Sequence, residues 1–226
     1  MYWQEEKDEE DYVVPDDVVD LAFDMRCPAL PVDHAQALHE AVCAVLPWFT
    51  DEPAAGLHLI HGADSGNGWE RPEAPEALIY LSRRTKFTLR LPKARVAAAR
   101  MLSGRELVLS GHRIEIGEGR ERPLTTHSAQ YARYVICGDP TDEDRFIDCC
   151  VRELKSLEVG FKKVLCGKLH NLELPGGPVP TRGLFIADLG IEDAVRLQQH
   201  GIGPGRHHGC GLFIPHKTIN KVSSDN

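Results

Sequence analysis

The chain has 226 residues, 42% of them hydrophobic and 27% charged, with a net charge of −8. That length suits one large domain or two of about 100 residues each, and the absence of any run of 18 or more apolar residues excludes a membrane-spanning helix. The start, Met1-Tyr2-Trp3-Gln4-Glu5-Glu6, has neither the basic nor the apolar region of a secretory leader. The seven cysteines are odd in number, lack a Cys-x-x-Cys pair and sit mostly in apolar segments, which predicts reduced thiols in a cytoplasmic protein, with neither a disulfide framework nor a structural zinc site.

An acidic total argues against a nucleic-acid binder until its distribution is read. Residues 1–17 carry eight acids and one lysine, and residues 18–79 ten acids and two arginines. Residues 80–123 reverse the sign, with eleven bases against four acids. Residues 124–150 return to −3, and residues 151–226 stand at +3. Phosphate binding follows local basic patches, not the total.

Residues 1–17 are predicted to be an acidic, disordered tail or edge extension. Val18 to Arg26 alternates apolar and polar residues, as a strand with one buried face does. Asp33 is placed to cap a helix, Gln36 completes a capping-box-like pattern, and Leu38, Val42, Val45 and Leu46 form its apolar stripe up to Pro47. Gly56–Ile60 is a second strand, and a Gly/Pro-rich loop runs from Gly62 to Pro75. Ala77–Leu81 and Lys86–Leu91 are strands on either side of Ser82-Arg83-Arg84. A short helix, Lys93–Leu102, and a hairpin around Ser110-Gly111-His112 complete a first β-α-β-β-α-β unit over residues 18–123.

The pattern repeats over residues 124–226. Tyr131–Cys137 is a strand, Asp142–Leu157 a helix, Lys163–Leu174 and Gly183–Ala187 strands, Ile191–His200 a helix and Cys210–Ile214 the last strand. The predicted fold class is α+β, two tandem ferredoxin-like (RRM-like) βαββαβ domains. No aromatic pair of the RNA-recognition-motif kind is evident on a central strand. Such sheets host many activities, so the fold alone sets none.

Gly201-Ile202-Gly203-Pro204-Gly205-Arg206-His207-His208-Gly209-Cys210-Gly211 holds five glycines in eleven residues, against a background of about 7%. Glycines allow positive φ and close backbone approach, and the N–H groups of such a loop can cradle phosphates. Arg206, His207 and His208 add donors. A dinucleotide fingerprint needs strand, loop, helix, whereas the order here is helix, loop, strand. A metal site from His207, His208 and Cys210 has no fourth ligand in view.

The segment resembles the C-terminal glycine-rich motif of RAMP proteins: glycine-apolar-glycine (Gly201-Ile202-Gly203), five residues including a base, then Gly209-Cys210-Gly211. Within that superfamily the chain resembles the Cas-six type of CRISPR repeat endoribonuclease over residues 18–217, through Leu30–His34 and its helix, Leu81–Arg84 and its strand, and Gly201–Lys217. The resemblance implies cleavage of precursor crRNA without metal or other cofactor, by attack of the upstream 2′-hydroxyl. It implies CRISPR repeat RNA as partner, together with other Cas proteins of a Cascade-like effector complex, in a transposon-associated or a defence system.

In that family a histidine near the first helix commonly serves, which points to His34, at the first helical position beside Asp33, as the catalytic residue. His58 and His61 read as packed or edge histidines, and Tyr131 and Ser128 as helpers without a positional argument. RNA binding is assigned to Arg83, Arg84 and Lys86, whose charge suits phosphate, and to Gly201, Gly203, Gly205, Arg206, His207, His208, Gly209 and Gly211. The alternatives are a non-catalytic RAMP subunit that holds crRNA, and a ferredoxin-like metabolic or regulatory domain.

Overall fold

The computed structural model describes residues 12–62, 71–72, 74 and 77–216. Most of the Gly62–Pro75 loop and Lys217 lie outside these, as does the tail up to residue 11. The described end of the tail is seated: Tyr12 and Val14 pack against Val18, Leu124 and Val195. Among the described residues no helix is long and apolar enough to cross a membrane.

The N-terminal sheet is built around β1 (Val18–Arg26), whose alternation sends Leu21, Phe23 and Met25 into the core and leaves Asp20, Asp24 and Arg26 on the other face. It lies between β5 (Lys86–Pro92) and β7 (His112–Arg122), antiparallel to both. With β3 (Gly56–Leu57) and β6 (Glu106–Leu109) the order is β3-β5-β1-β7-β6, the ferredoxin-like order with one extra hairpin strand. Phe23 faces Phe87 across the ladder with ring centroids 5.8 Å apart. Gly119 opposes Phe23 from β7, where a Cβ would come within 2.7 Å of its ring. α1 (Ala35–Val45) lays Leu38 and Val42 on the sheet, and the short α2 (Val96–Ala99) adds Val96 and Ala99. Each such side chain contributes about 1.5–3 kcal/mol on burial.

Two sequence expectations change here. Leu78–Tyr80, β4, leaves the main sheet and pairs with β2 (Ala29–Pro31) in a separate ribbon, because it offers only Ile79 for burial. The helix starts at Ala35 with His34 as N-cap, and Asp33 pairs with Arg71 instead of capping.

The C-terminal sheet has the order β11-β8-β10-β9, from β8 (Gln130–Val135), β9 (Lys163–Leu174), β10 (Gly177–Ala187) and β11 (Ile214–Pro215). α3 (Glu143–Ser156), N-capped by Asp142, and α4 (Ile191–His200) cover one face through Phe146, Cys150, Leu154, Ala194 and Leu197. β10 starts six residues before the expected Gly183. Its Pro178 and Pro180 are tolerated because β8 pairs with β10 only from Arg182 onward, leaving an edge. The reduced-thiol reading is corrected at one pair: Cys137 and Cys149 form a disulfide, Cα atoms 5.7 Å apart. Gly138, at φ +54°, turns the chain so that α3 returns over the end of β8.

The domains share packing. Tyr134, Leu172 and Cys210 of the second half join the core of the first. Arg90 of β5 is fully buried at the seam, bonded to both Asp20 oxygens (2.7 and 2.9 Å) and to the carbonyls of Gln198 (3.0 Å) and Phe213 (2.8 Å).

Candidate functional site

The glycine-rich loop is an interdomain seam. All five of its glycines have positive φ, and backbone occupies the space a side chain would need. A Cβ at Gly203 would lie 2.0 Å from the Ile136 carbonyl oxygen, and one at Gly211 would lie 2.2 Å from that of Ile202. Arg206 does not point to solvent. Its guanidinium donates to the carbonyls of Ala54 (3.2 Å), Gln199 (3.0 Å) and His200, and burial lowers its pKa to about 10. His207 donates from Nε2 to the Glu52 carbonyl at 2.9 Å, and His208 from Nε2 to Gln36 Oε1 at 2.9 Å. The His208 ring lies 4.4 Å from that of His39, and burial followed by repulsion from His39 and His207 drops its pKa to about 4. These contacts tie β3, α1 and α4 together, and Gly209 lines a cleft at the seam.

His34 is also placed differently from the sequence expectation. It is 3% exposed; Nδ1–H donates to the Pro31 carbonyl at 2.9 Å and Nε2 accepts from the Ile60 N–H at 3.1 Å. Burial lowers its pKa, so the ring is neutral, but its basic nitrogen is occupied. The expected first helical position is corrected to the N-cap, where His34 is buried and anchors the backbone next to His61.

His61 itself, half-buried, opens onto a cleft of about 310 Å³ at the seam, shared with Lys86, Arg122, Tyr131, Arg133 and Tyr134. Its ring centroid is 6.1 Å from that of Tyr134, whose other neighbour is His170, also at 6.1 Å. Arg71 donates to Tyr134 Oη at 3.3 Å and lies over its ring. Burial, then the charge of Arg133, pushes the His61 pKa well below 6.5. Asp20 is the carboxylate among the residues lining this cleft, and it is held by Arg90.

Lys86 joins this cleft to a groove of about 1170 Å³ lined by Arg26, Arg83 and Arg113 with Asp24, Glu115 and Glu118. Lys86 pairs with Asp24, Arg113 with Glu106 at 3.2 Å. Arg83 and Arg84 stand exposed on the turn before β5. Arg83, Arg84 and Lys86 thus stand together on the turn and the start of β5, and Lys86 shares the seam cleft with Gly209 of the glycine loop. His61, Tyr134, Arg133 and Arg71 were missed in the sequence. The usable signal was His58-x-x-His61 running off a strand into Gly62, with alternating Arg120 and Arg122 on β7.

The chain thus pairs two ferredoxin-like domains across a seam lined by Lys86, Arg122 and Arg133. The fold of this chain is similar to that of a structure described as "CRISPR associated protein Cas6", with a TM-score of 0.62 at 11% identity, covering 88% of this chain and 99% of that one. It is also similar to "An RAMP protein binding different RNA substrates", with a TM-score of 0.56 at 15% identity, covering 87% and 98%. The family model described as Cas6 Crispr matches residues 19–218. A relative from Myxococcus xanthus (strain DK1622), the CRISPR-associated endonuclease Cas6, is 30% identical over 91% of this chain and 85% of its own length. The chain belongs to the Cas6 family.

Proposed function

We propose that the protein is a CRISPR endoribonuclease that binds the repeat hairpin of precursor crRNA, cuts it and stays on the product, passing it to other Cas proteins of an effector complex. The observation that carries this reading, given the family, is the cleft in which His61 stands against Tyr134 among Lys86, Arg122 and Arg133. Burial keeps His61 neutral at pH 7, so a ring nitrogen has a lone pair to offer to the 2′-hydroxyl proton. The 2′-hydroxyl of the upstream nucleotide gives its proton to His61 while its oxygen bonds to phosphorus. The P–O5′ bond breaks and O5′ takes up the proton that His61 has gained, directly or through water, which returns the ring to its neutral form and leaves a 2′,3′-cyclic phosphate and a 5′-hydroxyl. Lys86 and Arg133 face the charge that grows on the phosphate. The cleft's carboxylate is engaged with Arg90, so the groups left for this chemistry are imidazole, phenol and cations.

Incubation with a CRISPR repeat RNA in EDTA tests the reaction. Cutting at one position, with a cyclic phosphate that acid converts to a monophosphate, is the expected result. Activity that disappears in EDTA and returns with magnesium rejects the mechanism. Uncut RNA that remains tightly bound supports the non-catalytic RAMP subunit.

The groove gives a second measurement. Arg83→Ala or Arg84→Ala should each flatten the slope of log affinity against log salt by about 0.7–0.9. Arg206→Ala should leave that slope alone and lower the unfolding temperature, since its guanidinium serves three carbonyls. A slope that falls for Arg206 and not for Arg83 or Arg84 would return RNA contact to the glycine loop.

A further inference from the structure

The helix-free face of the C-terminal sheet carries an aromatic cluster that neither the fold nor the proposed cleavage uses. On β8 and β10, Ala132, Leu184 and Ile186 enter the core, so Tyr131, Arg133 and Phe185 stand on the opposite face. Tyr131 and Phe185 are direct partners across the two central strands. This corrects the sequence expectation that no such pair exists. His216, following β11, meets both rings edge-on, at 5.9 Å from Tyr131 and 5.2 Å from Phe185. The rings lie low because the sheet beneath is bare. A Cβ on Gly183 would be 2.8 Å from Tyr131 Oη, and Gly167 packs against Gly183.

The face is open. Leu165, opposite Phe185 on β9, is 59% exposed, and Leu169 is 42% exposed. Its surroundings are cationic: Arg133 lies 5.8 Å from the Tyr131 ring centroid, and Lys163 and Lys168 stand on β9. It is continuous with the cleft, since Tyr131 and Ile214 line both. A protein-binding patch needs neither bare glycines under its rings nor a bordering cationic cleft. Unpaired bases use open rings beside cations, because flat π-faces stack on the rings while the phosphates between them seek the charge.

We propose that Tyr131, Phe185 and His216 form a stacking platform for two or three unpaired nucleobases of single-stranded RNA that leads out of the cleft. The proposal rests on the RNA-binding reading above. It adds a specificity: the protein prefers a hairpin with a single-stranded extension to a blunt one.

The test compares one hairpin RNA with and without a six-nucleotide single-stranded extension carrying 2-aminopurine, added 5′ in one probe and 3′ in another. Expected are tighter binding of one extended probe and quenching of its 2-aminopurine. Phe185→Leu and Tyr131→Leu, which keep the face apolar, should weaken that binding about 5- to 100-fold and relieve the quench. Blunt-hairpin affinity should hold for Phe185→Leu, which lies outside the residues lining the cleft. His216→Ala, at an exposed position, does the same to a lesser degree and covers the case in which a strand variant fails to fold. If the wild type binds blunt and extended hairpins equally and the variants match it, the platform is overturned while RNA binding stands. If the wild type binds no hairpin, the RNA reading itself fails. RNA binding unmoved by all three variants, with a second protein copy lost from the face on gel filtration, assigns the surface to protein contact and overturns the proposal.

Discussion

His61→Ala should lower the single-turnover rate of RNA cleavage by about 10²–10⁴-fold, the usual contribution of a general acid–base group. RNA affinity should change little, because the ring acts on a proton that moves only in the transition state. The side chain opens onto the interdomain cleft, so its loss should leave unfolding nearly unchanged. His34→Ala makes the contrast. It removes a buried ring that links the Pro31 carbonyl to the Ile60 N–H, and should lower both stability and rate by releasing the backbone next to His61. As a positioning residue His34 should be partly rescued by Asn, whose amide can both donate and accept. A catalytic imidazole would not be. The pH profile adds a sign. Because the pKa of His61 is pushed down, the basic form persists below pH 6.5, and the rate should fall only as pH drops past that depressed value. His170→Ala serves as the matched arm, since His170 borders the same tyrosine. Parent-rate cleavage by His61→Ala, with His34→Ala inactive yet fully stable, would restore His34 as the base.

What the sequence made legible was local. The alternation in Val18–Arg26 and the stripes of α3 and α4 depend on neighbours a few residues away, and those elements fall where periodicity puts them. The glycine motif led to the family, but not to its role in this chain. Positive φ at Gly203 is required equally by a phosphate or by the Ile136 carbonyl at its back, and only the fold distinguishes them. His34 was half legible: the helix beginning beside it follows from pattern, whereas the Ile60 N–H that occupies its ring comes from 26 residues away. His61 carried only the His58-x-x-His61 spacing as a local signal, since Tyr134 and Arg133 meet it from the other domain. Tyr131 and Phe185 become a pair only through strand register.

Arg90→Met should cost about 3–5 kcal/mol of folding stability, the range for removing one partner of a buried ion pair. At about 2–4 °C per kcal/mol for a chain of this size, the unfolding midpoint should fall by roughly 6–20 °C. The guanidinium makes four bonds, two to Asp20 and two to carbonyls of the second domain. Methionine fills the volume but removes the guanidinium from the Asp20 carboxylate, leaving it only His58, and takes the same donor from both carbonyls. Arg90→Lys should do little better, because a single ammonium cannot span the carboxylate fork and both carbonyls. Burial alone would raise the Asp20 pKa, but the adjacent Arg90 charge, assisted by His58, holds it below the ordinary carboxylate range. A depressed carboxylate stabilises the fold above its unfolded pKa of about 3.9, and that stability is lost as pH falls from there toward the folded value. Asp20→Asn should therefore remove much of the protein's stability at neutral pH and flatten its acid dependence below about pH 4. Denaturant unfolding followed by circular dichroism at pH 7 and pH 3 reads both effects. A loss under 1 kcal/mol for Arg90→Met at pH 7 would mean that the domains are held by Tyr134, Leu172 and the glycine seam, with Arg90 contributing only register.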